Sequence, residues 1–152
     1  MRMLIVAVGR AGRGPVQAQL DDYAKRLRPP LELVEVEERR PLPAPALKAS
    51  EAELLLQAVP AGALLIALDR RGKALSSEDL AERLAAWRER APKALAFVIG
   101  GADGLDRSVL ERADFVLSLG PMTWPHMLVR VMLAEQLYRA SSILAGHPYH
   151  RR

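Results

Sequence analysis

Apolar residues follow two rhythms along this chain. Residues 3–8, 63–68, 94–99 and 115–119 are short, nearly unbroken apolar runs, the mark of strands buried on both faces. Residues 31–36 instead alternate leucine and valine with glutamate, which predicts a strand with one wet face. Between these runs the period changes. Val16, Leu20, Tyr23, Ala24 and Leu27 recur at helical spacing, and helical patterns also cover residues 46–59, 78–90, roughly 106–112, and 125 to about 144. Pro15 suits a first helical turn and Pro29-Pro30 closes that helix. Ser76 and Asp79 have capping-box spacing, with Asp in place of the usual Glu or Gln. Gly146 and Pro148 stop the last helix. Residues 9–15, 37–45 and 69–75 read as loops, the second of them mobile. Strands alternating with helices predict an α/β fold, a mainly parallel sheet flanked by helices, in a single domain over residues 1–152.

In such sheets ligands bind beyond the carboxyl ends of the strands. Three ends stand out: Leu68-Asp69, Gly100-Gly101 and Leu119-Gly120. The stretch IGGADGL places Gly100, Gly101 and Gly104 directly after a buried strand. It reads either as a loop that wraps a flat or anionic ligand or as a tight strand-to-helix turn. It lacks both the G-x-G-x-x-G spacing and the lysine of a phosphate-binding loop. The stretch LSLGPMTWPH is stiffened by Pro121 and Pro125, freed by Gly120, and given apolar surface by Met122 and Trp124. Thr123 can cap the following helix there. A preshaped pocket and an ordinary capped turn both fit.

The last helix is apolar around most of its circumference, through Met127, Leu128, Val131, Met132, Ala134, Leu137, Tyr138 and Leu144. That fits a second protomer, or a central core helix. Glu135 and Arg139 have ion-pair spacing, and His126 and Arg130 share a face. The tail HPYHRR joins an aromatic ring, imidazoles and arginines. Such a set clamps RNA by stacking and phosphate contact, or is an inert terminus.

Composition narrows the classes. The chain has no cysteine, so disulfides and thiolate chemistry are excluded. It also lacks asparagine, which fits either a high-GC genome or a thermophile. The net charge of +4 mildly favours a polyanionic partner. No apolar run reaches the roughly 20 residues of a membrane span, and the N-terminal run is too short for a signal peptide.

Taken together, IGGADGL, LSLGPMTWPHMLVRVMLAEQLYRA and HPYHR resemble the ribosomal large-subunit pseudouridine N3-methyltransferase family of the SPOUT class. The resemblance also takes in AVG near Val8 and LDRRGK from Leu68. It implies a C-terminal trefoil knot, a homodimer, and S-adenosyl-L-methionine as methyl donor without a metal. The implied partner is 23S ribosomal RNA within the ribosome or large subunit, in the cytoplasm. The cofactor residues it implies are Leu68, Gly100, Leu119, Gly120, Pro121, Met122, Thr123 and Trp124. Tyr149, His150 and Arg151 are the implied catalytic residues, followed here by an extra Arg152. Two rival readings stand beside it: another rRNA or tRNA target within the class, and a non-catalytic ribosome-binding factor.

Overall fold

In the computed structural model, which describes residues 1–151, five parallel strands form one sheet in the order β2-β1-β4-β3-β5. The strands are β1 (Met3–Val8), β2 (Glu32–Val36), β3 (Leu64–Ala74), β4 (Leu95–Ile99) and β5 (Phe115–Ser118). The helices between them are α1 (Pro15–Arg26), α2 (Ala44–Ala58), α3 (Ser77–Glu89), α4 (Arg107–Arg112) and α5 (His126–Ala145). The α/β class and the parallel sheet expected from the two rhythms are therefore found.

Strand residues alternate between the sheet's faces. Met3, Ile5, Ala7, Leu64, Ile66, Leu95, Phe97 and Ile99 point to one core, closed by α1, α3 and α5. Leu4, Val6, Val8, Leu65, Ala67, Ala96 and Val98 point to the other, closed by Ala52 and Leu55 of α2 and Val109 of α4. Burial on both sides explains why the central strands carry no polar alternation. Only β2, at the edge, keeps exposed or half-exposed positions throughout.

Two expectations are corrected. Residues 69–74 are not a loop, because β3 continues to Ala74 across an irregularity: Leu68 and Lys73 both pair with Leu117. Thr123 does not cap α5; Pro125 is its N-cap and no side chain bonds there. Within residues 37–43, Glu38 accepts from the Arg40 N–H and guanidinium and from the Ser50 hydroxyl. Those bonds hold the Glu38 carboxyl down to about 2. Of the two readings left open for α5, the core helix accounts for much of its apolar surface. It packs on α1, α3 and the sheet through Val131, Leu133, Ala134, Leu137 and Ala140. Leu128 and Met132 are only half-buried, and Leu144 is exposed. The capping-box spacing does form a cap, with Ser76 Oγ accepting from the Asp79 N–H at 3.0 Å.

Candidate active site

The carboxyl ends of β3, β4 and β5 lie side by side, and the segments leaving them surround a cavity of about 420 Å³. Each wall has a local cause. After Leu68, β3 bulges out for four residues before rejoining β5 at Lys73. Gly72 makes this possible, because a Cβ there would lie 2.5 Å from the Val116 carbonyl oxygen. Within the bulge Asp69 accepts from the Arg71 N–H at 2.8 Å and from its guanidinium at 3.0 Å. The Arg71 guanidinium keeps the Asp69 carboxyl below its usual range against the opposing effect of burial.

The second wall is Gly100–Gly104, closed by a bond from the Gly104 N–H to the Gly101 carbonyl at 3.0 Å. The third is the segment after β5, where Gly120 takes φ +105°, a region open chiefly to glycine. Ser118 ties this wall to the first. Its hydroxyl lies 3.0 Å from the Arg70 carbonyl and accepts from the Gly120 N–H at 3.0 Å.

Of the eight expected cofactor residues, Leu68, Gly100, Leu119, Gly120, Met122, Thr123 and Trp124 line this cavity, and Pro121 does not. Sequence reading missed Lys48 on α2, and His126 and Val129 on α5, which line it too. Lys48 gave no signal, since its approach depends on how α2 packs. His126 was visible within LSLGPMTWPH as a polar residue directly after a rigid turn. Met122 is 69% exposed and Trp124 39% exposed, so this wall presents large apolar groups to solvent. Beside the Gly101 turn, burial and then the Asp103 carboxylate push the Glu51 carboxyl up.

Gly100 lines the cavity and also shapes its turn. A Cβ on it would lie 2.6 Å from the carbonyl carbon and oxygen of Gly104, so it lets the turn close on itself. Gly100→Ala should therefore open the turn and weaken S-adenosylmethionine binding at least tenfold, with the far-ultraviolet circular dichroism of the parent retained. Calorimetric titration checks this, and parental affinity would show that the turn is not part of the pocket.

The tail is elsewhere. None of Tyr149, His150 and Arg151 lines the cavity. Tyr149 packs on Tyr138 at 4.6 Å between ring centroids and donates to Glu135 at 3.1 Å. Burial, then hydrogen bonds with Tyr23 and Glu135, raise its phenol well above the usual range. His150 Nδ1 lies 3.1 Å from Arg139 Nη1 and its Nε2 lies 2.9 Å from Glu78. A guanidinium cannot accept, so Nδ1 accepts and the ring hydrogen on Nε2 is donated to Glu78. The Arg139–Glu135 pair expected from spacing is formed at 2.6 Å. Glu135 lies nine residues past His126, roughly 14 Å along α5. The tail thus docks along the middle of α5 while the cavity sits at its start. Arg151 is exposed, and the extra Arg152 lies outside the described residues.

His126 and Arg130 do share a face, but Arg130 is 1% exposed. It donates to Glu35 at 2.6 Å and to the carbonyls of Val8 and Gly9 at 3.1 and 2.9 Å. Glu35 accepts in addition from the Ala11 N–H at 2.9 Å. Burial pushes the Glu35 carboxyl up, but Arg130, the Ala11 N–H and Arg10 together outweigh it and leave it below its usual range.

A cavity walled by backbone loops at the carboxyl ends of parallel strands, with a proline-stiffened third wall leading into the last helix, defines a cofactor-binding α/β protein. The family model described as "Predicted SPOUT methyltransferase" matches residues 1–150, and the chain belongs to that family. A relative from Paramagnetospirillum magneticum, named "Ribosomal RNA large subunit methyltransferase H", is 59% identical over 151 residues and covers 99% of both chains. A probable methyltransferase from Bordetella pertussis has a similar structure. Its TM-score is 0.60 at 19% identity, with 91% of this chain and 95% of that one covered. The SpoU methyltransferase AviRb from Streptomyces viridochromogenes, solved with the cofactor AdoMet, shares the fold at TM-score 0.51 and 10% identity, over 92% of this chain and 58% of that one.

Proposed function

We propose that this chain transfers the methyl group of S-adenosylmethionine to N3 of a pseudouridine in 23S ribosomal RNA, acting on the ribosome or large subunit in the cytoplasm. The observation that carries this reading is the cavity, in a chain whose relatives are named for methylating large-subunit rRNA. Its volume lies in the range of small-molecule sites. Its walls pair apolar Leu68, Leu119, Met122 and Trp124 with the glycine-rich backbone of the loops and Thr123. That donor set suits an adenine ring, a ribose and a sulfonium-bearing chain.

When bound, the cofactor supplies an electrophilic sulfonium methyl. The residues of this chain then have to orient it, exclude water and manage one proton. The rigid loops hold the reacting group in line, which removes much of the entropic barrier. The loops at Leu68, Gly100 and Leu119–Trp124 would hold that donor, and methylation at N3 would require the N3 proton to be taken up. Arg151 has the right chemistry to stabilise the developing anion, and His150 to take that proton once its Nδ1 gives up the bond it accepts from Arg139. Because the tail lies away from its own cavity, we assign it to the cavity of a second copy. That copy would cover Met122, Trp124, Leu128 and Met132 in a homodimer. The C-terminal trefoil knot belongs to the same proposal and rests on family membership. Mass mapping of large-subunit rRNA incubated with the protein and cofactor should show one added methyl on a pseudouridine. Methylation of a uridine ribose, of another base or of tRNA would overturn the assignment.

A further inference from the structure

The loop GRAGRGP after β1 is no part of the cavity's lining, yet the fold holds it firmly. Its first residue receives three constraints. The Gly9 N–H donates to Val36 at 2.8 Å, the Gly9 carbonyl accepts from Arg130 at 2.9 Å, and a Cβ on Gly9 would lie 3.2 Å from Met127 and 3.7 Å from His126. Two residues on, the Ala11 N–H is bound by Glu35. A buried arginine and its carboxylate partner, drawn from α5 and β2, thus fix a surface loop. Burying such a pair is costly, so the loop's position is specified well beyond what a simple connection needs.

That position is beside the cavity. β1 neighbours β4, and a Cβ on Gly101 would touch Val8 at 3.1 Å, so the loop adjoins the Gly100–Gly104 wall. His126, which lines the cavity, abuts its first residue. From this anchored base two guanidiniums project. Arg10 keeps 60% of its side chain exposed while pairing with Glu37 at 3.0 Å, and Arg13 is exposed. A surface ion pair is worth little, and Arg offers five donors in a fixed fork that suits phosphate. Glu37 therefore orients Arg10 without consuming it.

We infer that the Gly9–Gly14 loop, anchored by Arg130 and Glu35, is an RNA-phosphate contact beside the cavity, made through Arg10 and Arg13. This rests on the rRNA reading above. The contact sets the register of the RNA strand relative to the methyl-donor site, and so acts on substrate binding and leaves cofactor binding alone.

The test is co-sedimentation of the protein with purified ribosomes across a salt series, with methyl transfer to the same ribosomes measured in parallel. The double variant Arg10→Ala, Arg13→Ala should bind about tenfold more weakly. Its slope of log affinity against log salt should be shallower by about two, one for each lost phosphate contact. Its S-adenosylmethionine affinity should stay within about twofold of the parent. Arg90→Ala, Lys93→Ala removes two charges at the opposite ends of the strands and should keep the parental slope. An unchanged slope in the first variant, or an equal loss in the second, overturns the loop assignment. A parent that binds ribosomes with the expected slope but transfers no methyl overturns the catalytic reading and leaves the loop standing. A parent that does not bind ribosomes overturns both.

Discussion

Deleting residues 149–152 should lower methyl transfer by at least about a hundredfold while leaving S-adenosylmethionine affinity within about twofold. The two effects separate because the described tail and the cavity are separate in space: none of Tyr149, His150 and Arg151 lines the cavity. The size follows from Arg151. A preorganised cation beside a developing anion in a dry site is worth on the order of a hundredfold in rate, and loss of the His150 base adds to it. The deletion also removes the Tyr149 ring from Tyr138 and the His150 bond to Glu78, so some loss of thermal stability is expected. Arg151→Ala controls for that, since Arg151 is exposed. It should lose most of the activity at the parental melting temperature. Single-turnover transfer to intact ribosomes, read beside calorimetric titration, decides the matter. Full activity in the deletion variant would show the tail to be inert and turn attention to His126 at the cavity itself. Mixing the deletion variant with a cavity-defective Gly100→Ala partner should restore part of the activity if the tail serves the second copy.

Arg130→Met should destabilise the fold by about 3 kcal/mol, at the low end for breaking a buried ion pair, because Glu35 keeps 21% exposure. The melting temperature of a chain this size should fall by roughly 6–12 °C. The loss should depend on pH with a defined sign. Arg130 helps hold the Glu35 carboxyl below its ordinary value. The pair's stabilisation is therefore complete above that ordinary value, and is lost as pH falls through the depressed one. The penalty of Arg130→Met is then greatest near neutrality and shrinks in acid, where Glu35 is protonated in both proteins. Adding Glu35→Gln should recover part of the stability, by removing the carboxylate left without its partner. Urea denaturation at pH 7 and pH 4 checks the direction. A penalty that stayed constant or grew in acid would mean that Arg130 stabilises by packing alone.

The elements legible in the sequence were those with local causes. The five strands showed as apolar runs or alternation, Ser76 announced α3, and Gly146 announced the end of α5 in the left-handed conformation. Three cavity walls showed as glycine and proline clusters at strand ends. Reading failed where a local signal met a distant partner. The polar stretch DRRGKA looked like a loop, but β5 offers it a second run of backbone groups, so it stays in the sheet. Thr123 had the right residue type for a cap, but Pro125 is the N-cap of α5, which begins at His126 and leaves Thr123 on the cavity wall. The all-round apolarity of α5 fitted either an interface or a core helix, and only packing showed that much of it is the floor between α1 and α3.

By itself the sequence determined which segments are strands and helices, where the chain turns, and which strand ends leave the backbone bare. Periodicity, caps and glycine conformation act within a few residues of one another. Only the tertiary structure decided that β4 and β3 lie adjacent, so that the three bare ends enclose one space. It also brought Arg130 to Glu35, 95 positions away in sequence, and laid the tail along α5 instead of over its own cavity. Those outcomes depend on which surfaces meet when both faces of the sheet are covered, and that is set by the packing of the whole chain, beyond the reach of any window along it.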